Sequence, residues 1–210
     1  MKNFIAIIFV ASYASASWAD GLNSLETFIK TVSSGRANFT QVVTAPTREG
    51  QSARSKTSSG TFEFQRPGRF KFVYKKPFEQ SILADGQTLW LYDVDLNQVT
   101  ARKQVDVLGS TPAALIASAA DINALKQDFA LAAAPDKDGL EWVQATPKAK
   151  DGQLQNVRIG FRAGQLAALE ILDSFGQKSS MTFAAFQPNL PLNAASFQFN
   201  PPQGADVVRQ

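Results

Sequence analysis

Most of the side chains that perform chemistry are missing from this sequence. It contains neither histidine nor cysteine, which removes the usual general base, the commonest zinc ligand and the thiol nucleophile. The carboxylates are dispersed over turns: Asp93 and Asp95 flank one, and Asp136 and Asp138 read as solvated loop. The glycines also fall at turns and form no phosphate-cradling motif. No catalytic residue, metal site or cofactor is assigned. What stands out is one cation in an unusual place. Phe62, Phe64 and Arg66 share one parity, with Thr61, Glu63 and Gln65 on the other. Beyond a turn at Pro67-Gly68, Phe70, Phe72 and Tyr74 share a face against Arg69, Lys71, Val73 and Lys75. A guanidinium among aromatic rings is costly unless its donors find acceptors. The alternative is that Arg66 sits at a strand end and reaches water. The chemistry that suits these residues is the enclosure of something apolar, guarded by a single cation, rather than bond-making.

The elements that position these residues follow from the same alternation. Strict period two marks a half-buried antiparallel strand. Strands are predicted over residues 36–44, 60–66, 69–74, 80–85, 88–93 and 98–103, then over 129–133, 140–146, 154–162, 166–172 and 178–186. Asp85-Gly86 is a strong hairpin turn, and spacing this regular implies a meander or barrel. Which residues of Leu89–Tyr92 face inward is left open. Residues 45–59 read as a polar loop. Residues 20–34 read as a helix with Leu22, Leu25, Phe28, Ile29 and Val32 on one stripe, Asn23 or Ser24 as its cap and Gly35 as its end. Gly109-Ser110-Thr111-Pro112 introduces an alanine-rich helix over 113–119, and Asp121 caps a second over 122–128. Their few large anchors, Leu115, Ile116, Ile122 and Leu125, suit a movable cover; a rigid connector is the alternative.

Composition bounds the rest. Sixteen phenylalanines against three tyrosines tilt the chain toward purely apolar surface. Most of them belong to a core, but a curled sheet must fill its concave side with its own side chains or with a ligand. Lys2, an apolar run from Phe4 to Ala14, and Ser17-Trp18-Ala19 read as a secretory signal peptide over residues 1–19. That leaves residues 20–210 as a single domain beginning at Asp20. The absence of cysteine excludes disulfides and lipid attachment through a cysteine. A formal charge of +3, with scattered basic residues, gives no footprint for nucleic acid.

The stretch from Arg66-Pro67 through Tyr74, Pro77, Asp85-Gly86, Leu89-Trp90 and Gln98-Val99-Thr100, with Thr111-Pro112 and the terminal Phe197-Gln198-Phe199-Asn200-Pro201-Pro202-Gln203-Gly204, resembles the LolA family of periplasmic outer-membrane lipoprotein carriers. The resemblance covers most of the chain, and the motifs are specific in combination rather than singly. It implies a mainly β, α+β fold: an incomplete antiparallel barrel of about eleven strands with a lid of short α-helices. It implies that Arg66 holds the lid shut through the segment around Leu115, Ile116 and Ala117. It also implies an acyl-chain cavity, with the family's cavity phenylalanine at Phe70 and its next aromatic at Phe72. By parity Phe62, Phe64 and Tyr74 join that cavity. The implied protein is a monomeric periplasmic chaperone and not an enzyme. Its implied partners are lipoproteins bound by their acyl chains, an ATP-driven inner-membrane lipoprotein-releasing complex and an outer-membrane lipoprotein receptor.

Three rival readings fit the residues less well. A lipid receptor or sensor on the same open barrel lacks here an anchoring cysteine or a second domain. An outer-membrane barrel would not carry the basic outer face of Arg69, Lys71 and Lys75. A secreted enzyme has no supporting side chains. The carrier reading expects the concave face to be oily and roomy.

Overall fold

The computed structural model describes residues 21–47, 52–108, 112–117, 121–149 and 152–210. The segment read as a signal peptide therefore lies outside the described residues, as do Gly109-Ser110-Thr111 before the alanine-rich helix and residues 118 and 119 at its expected end. The chain opens with α1 (Gly21–Thr31) and continues through β1 (Ser34–Thr44), β2 (Ser55–Gln65), β3 (Arg69–Lys76), β4 (Gln80–Asp85), β5 (Thr88–Asp93) and β6 (Gln98–Lys103). Three short helices follow: α2 (Gln104–Leu108), α3 (Pro112–Ala117) and α4 (Ile122–Asp128). The second half holds β7 (Phe129–Lys137), β8 (Leu140–Pro147), β9 (Leu154–Arg162), β10 (Gln165–Asp173) and β11 (Lys178–Pro188), then a 3-10 turn at Ala194–Phe197 and β12 (Asp206–Arg209).

These strands form one sheet in the order β12-β6-β5-β4-β3-β2-β1-β11-β10-β9-β8-β7. Each half is a meander of hairpins, and β11 returns to pair with β1. The first half thus ends near one side of the sheet at β6, and the second begins at the opposite edge, β7. The chain between them has to cross the open side of the curl. That crossing is α2–α4, so the topology itself makes these helices a cover.

The eleven strands read from alternation are all present, and the sheet is the expected open, mostly antiparallel one. A twelfth was not foreseen. β12 pairs with β6 in parallel, Val207 opposite Val99, because the chain after β11 crosses the outer face before arriving. There Phe197 is buried, as are Leu83, Val99 and Ala101, and the Phe199 ring lies tilted against Trp90 and Tyr92 with centroids 5.3 and 5.9 Å apart. This settles the open question of β5: Trp90 and Tyr92 face outward beneath the C-terminal segment, whereas Leu89 packs on the main core.

Other boundaries differ for identifiable reasons. β2 starts at Ser55, not residue 60, and pairs with the whole end of β1; residues 55–59 are polar at every position, so no alternation marks them. The first helix stops at Thr31, and Ser24 lies inside it, donating to the Glu141 carboxylate rather than capping. Gly35 lies in β1 instead of ending the helix. A Cβ there would come within 2.8 Å of the Phe64 ring and 3.0 Å of the Phe186 ring, so the residue is small for packing. α2 was not anticipated. α4 agrees with its reading: Asp121 accepts from the N–H groups of Asn123 and Ala124 at 2.8 and 2.9 Å, which satisfies two of the helix's unpaired donors.

Candidate functional site: a latched aromatic face

The concave face is built by β1–β3 and β8–β11 and is covered by α1 and α3. Phe62, Phe64, Phe70 and Phe72 alternate inward from β2 and β3 and are buried, as the parity argument requires. They form a contiguous aromatic cluster. Phe62 stacks on Phe72 at 4.4 Å and on Phe64 at 5.6 Å, and Phe70 meets Phe72 edge-on at 6.2 Å. From the opposite side, Phe28 of α1 reaches Phe64, Phe161 and Phe186 at 6.1, 5.6 and 5.9 Å. Leu115, Ile116 and Ala117 of α3 are buried in the same cluster. These rings and helices fill the face. The expectation of a roomy interior is therefore corrected for this closed form: ring contacts at van der Waals range leave the aromatic face occupied by the protein's own side chains.

Arg66 does not reach into bulk water. Its Nε and Nη2 both donate to the carbonyl of Ile116, at 3.1 and 2.8 Å. This acceptor lies within the segment that the resemblance implied. Its Nη1 donates to the carbonyl of Val32, with longer contacts to those of Phe28 (3.4 Å) and Ile29 (3.3 Å). The α1 partners were not foreseen. Both helices thus present C-terminal carbonyls, the groups a helix leaves unpaired and carries at its negative end, to one guanidinium. The rings of Phe28 and Phe64 flank it at 5.0 and 5.3 Å from Cζ, adding cation–π attraction. Burial pulls the Arg66 pKa down to about 10, which still leaves it charged at neutral pH. One planar fork therefore joins α1, α3 and the end of β2, a geometry lysine does not reproduce.

Two further contacts complete the latch. The N–H of Gly68, in the turn that follows Arg66, donates to the carbonyl of Ala117 at 2.9 Å. Gly68 has φ +73°, a backbone that side-chain-bearing residues rarely adopt. Gln104, at the start of α2, is only 2 % exposed. Its Nε2 donates to the carbonyl of Gly68 at 2.6 Å, and its Oε1 accepts from the N–H of Gly86 at 2.9 Å. Its own N–H donates to Gln87 O at 2.8 Å. The side chain thus fixes the Arg66–Gly68 turn to the Asp85–Gly86 turn at the point where the covering helices begin. Nothing in the sequence signalled this, because the partners lie 36 and 18 residues away. Replacing Gln104 by leucine removes the donor to the half-buried Gly68 carbonyl and the acceptor of the exposed Gly86 N–H, a loss of about 0.5–1.5 kcal/mol for each bond. The expected result is a lower denaturation midpoint together with faster hydrogen exchange at the amides of Gly68 and Gly86.

The remaining candidates have other roles. The Asp85 carboxylate organises its hairpin, accepting from Gln87 N, Thr88 N and Trp90 Nε1 at 2.8, 2.8 and 2.9 Å. Partial burial raises its pKa, but the bonds from Thr88, Trp90 and Gln87 together outweigh this and hold it below the ordinary carboxylate value. Asp93 Oδ1 accepts from Leu96 N at 3.1 Å, a turn contact. Tyr74 continues the aromatic face, edge-on to Phe39 at 4.9 Å, but its hydroxyl donates to Gln41 Oε1 at 3.0 Å. It stands at the border of the apolar cluster rather than inside it.

Comparison with known proteins agrees with this architecture. A family model described as outer membrane lipoprotein carrier protein LolA matches residues 30–200. A protein of Albidiferax ferrireducens named outer-membrane lipoprotein carrier protein is 70 % identical over 214 residues, spanning 100 % of both chains. One of the same name from Leptothrix cholodnii is 50 % identical over 204 residues, covering 97 % of this chain and 92 % of the relative. Among solved structures, an uncharacterized conserved protein from Thermus thermophilus superposes with a TM-score of 0.52 at 14 % identity, over 90 % of this chain and 97 % of that one. That last likeness is one of fold alone.

Proposed function

Because this chain belongs to the LolA family of outer membrane lipoprotein carrier proteins, we propose that it carries lipoproteins across the periplasm by sheltering their acyl chains against the aromatic face behind α3. It acts as a chaperone and catalyses no reaction. The observation that carries this reading is the fork of Arg66 on Ile116, which joins a cover of short helices to a face made of phenylalanine. The role of Phe62, Phe64, Phe70 and Phe72 is to contact acyl chains, and that of Arg66, Leu115, Ile116 and Ala117 is to hold the cover shut when no cargo is present. The mature protein begins at Asp20 after removal of residues 1–19.

Magnitudes constrain the mechanism. Burying a methylene yields about 0.8 kcal/mol, so several fully dried acyl chains would exceed the practical affinity ceiling of about 20 kcal/mol. Such a carrier would never release. The closed face limits affinity, since the rings must part and the Arg66–Ile116 bonds must break before chains enter. Loading accordingly needs a donor that spends energy, an ATP-driven inner-membrane complex. Unloading needs a receptor at the outer membrane with a more accessible apolar site.

The test is photo-crosslinking in cells from a photoreactive residue at position 70. A lipoprotein adduct that disappears when lipoprotein acylation is blocked is the expected result. Adducts with phospholipid alone, or with no acylated protein, would overturn the reading.

A further inference from the structure

The aromatic face changes character along the barrel axis. Moving away from Arg66, the inward rows run from Phe64 and Phe70 to Phe62 and Phe72, then to Phe39 and Tyr74, and then to Gln41 and Ser58. At the Tyr74 row a polar belt crosses three strands. Tyr74 Oη donates to Gln41 Oε1 at 3.0 Å, and Gln41 Nε2 donates to Ser179 Oγ at 2.8 Å. Beyond the belt the barrel opens into a cavity of about 670 Å³ lined by Gln41, Ser58, Tyr74, Phe78, Gln80 and Leu96. Phe78 and Leu96 are 60 % and 70 % exposed there. The belt leaves donors over: the second amide hydrogen of Gln41 and the hydroxyl hydrogens of Ser179 and Ser58 have no acceptor among the described residues.

A hydrocarbon chain has no use for these donors, and half-buried polar groups beside an apolar face are costly unless used. An ester or amide carbonyl accepts and does not donate, so it complements them. A free carboxylate would instead seek a cation, and the cations at this cavity, Arg54 and Lys56, lie on its exposed rim, with Lys56 Nζ resting over the Phe78 ring at 4.9 Å. We propose that this open mouth is a subsite for the polar linkage of an acylated protein terminus, its ester and amide carbonyls, with the acyl chains running inward from the Tyr74–Gln41–Ser179 belt toward Arg66. The proposal rests on the carrier reading and adds an orientation: the cargo lies with its linkage at the mouth and its chain ends beneath α3. Phe78 and Leu96 flank the first methylenes and the peptide as they leave.

The test compares two synthetic ligands on the full chain: a diacylglyceryl lipopeptide, and the same lipopeptide with ether links of equal chain length in place of the esters. The wild-type protein is expected to bind the ester form about 2- to 10-fold more tightly, the effect of one net hydrogen bond. In a Tyr74→Phe/Gln41→Leu/Ser58→Ala/Ser179→Ala variant, which removes every spare donor of the belt and the hydroxyl that Gln41 would otherwise leave unpaired, that ratio is expected to fall to about one. The ratio is insensitive to a general loss of fold, because a purely structural role for the belt would weaken both ligands alike and leave it unchanged. Equal binding of both ligands by the wild type, or a ratio that persists in the variant, overturns the subsite alone. Binding of neither ligand overturns the carrier reading and the subsite with it.

Discussion

Replacing Arg66 by leucine is expected to give a folded protein that accepts acylated cargo and fails to hand it on. The loss falls on the closed state. Leucine makes neither of the bonds to Ile116 O, and hydrogen bonds to a charged donor are worth about 1.5–3 kcal/mol each. A net loss of about 3 kcal/mol in closing shifts the lid equilibrium roughly a hundredfold toward open. Overall stability changes much less. The substitution also removes the desolvation cost of a buried cation, and the leucine packs against Phe28 and Phe64, whose rings now flank the guanidinium. α1 keeps its own anchors, Leu25, Phe28 and Ile29. With the lid unlatched, release gains nothing from reclosure, so cargo stays. Transfer to receptor-bearing membranes, measured beside urea denaturation, checks both halves. Transfer at the wild-type rate would sink the latch assignment. Lysine at position 66 should fall between the two, since an ammonium cannot fork onto α1 and α3 together.

Glutamate at position 70 is expected to abolish cargo binding and to cost several kcal/mol of stability at neutral pH. Phe70 is buried between Phe64 and Ala84 across the neighbouring strands and against Phe72. Among the described residues, the cluster around it holds no cation except Arg66, which is already bound to carbonyls. Burial will therefore raise the pKa of the new carboxyl above its unfolded value. The sign follows from linkage: the penalty is full above the raised folded pKa and shrinks as pH falls through it. The variant should regain stability on mild acidification while the wild type does not. Leucine at the same position keeps the surface apolar and should retain binding. Unchanged acyl binding by a folded Phe70→Glu protein would count decisively against the cavity assignment.

The residues that could be read from sequence are those whose surroundings lie close along the chain. Phe62, Phe64, Phe70 and Phe72 show their burial by parity, and Asp121 marks its helix because the groups it binds are the next turn's own N–H donors. Arg66 was conspicuous as a charge on the wrong face, and its misfit pointed to carbonyl partners. Its α1 acceptors were invisible because nothing local says where a distant helix ends. Gln104 was invisible for the same reason. Gly35 looked like a helix stop, but its size answers to Phe64 and Phe186, which only the folded sheet brings near. β12 is four residues long, follows two prolines and pairs in parallel with a strand more than a hundred residues earlier. No period in so short a segment announces it. The roominess of the concave face was the largest misjudgement. Oiliness is a property of residue types, whereas vacancy depends on how Phe28 and α3 settle against them.

If the protein carries acylated cargo as proposed, the rings that stack on one another and the fork that binds two helices have to part for it, so some of the work of entry is held in the separated halves of the molecule and returned at delivery.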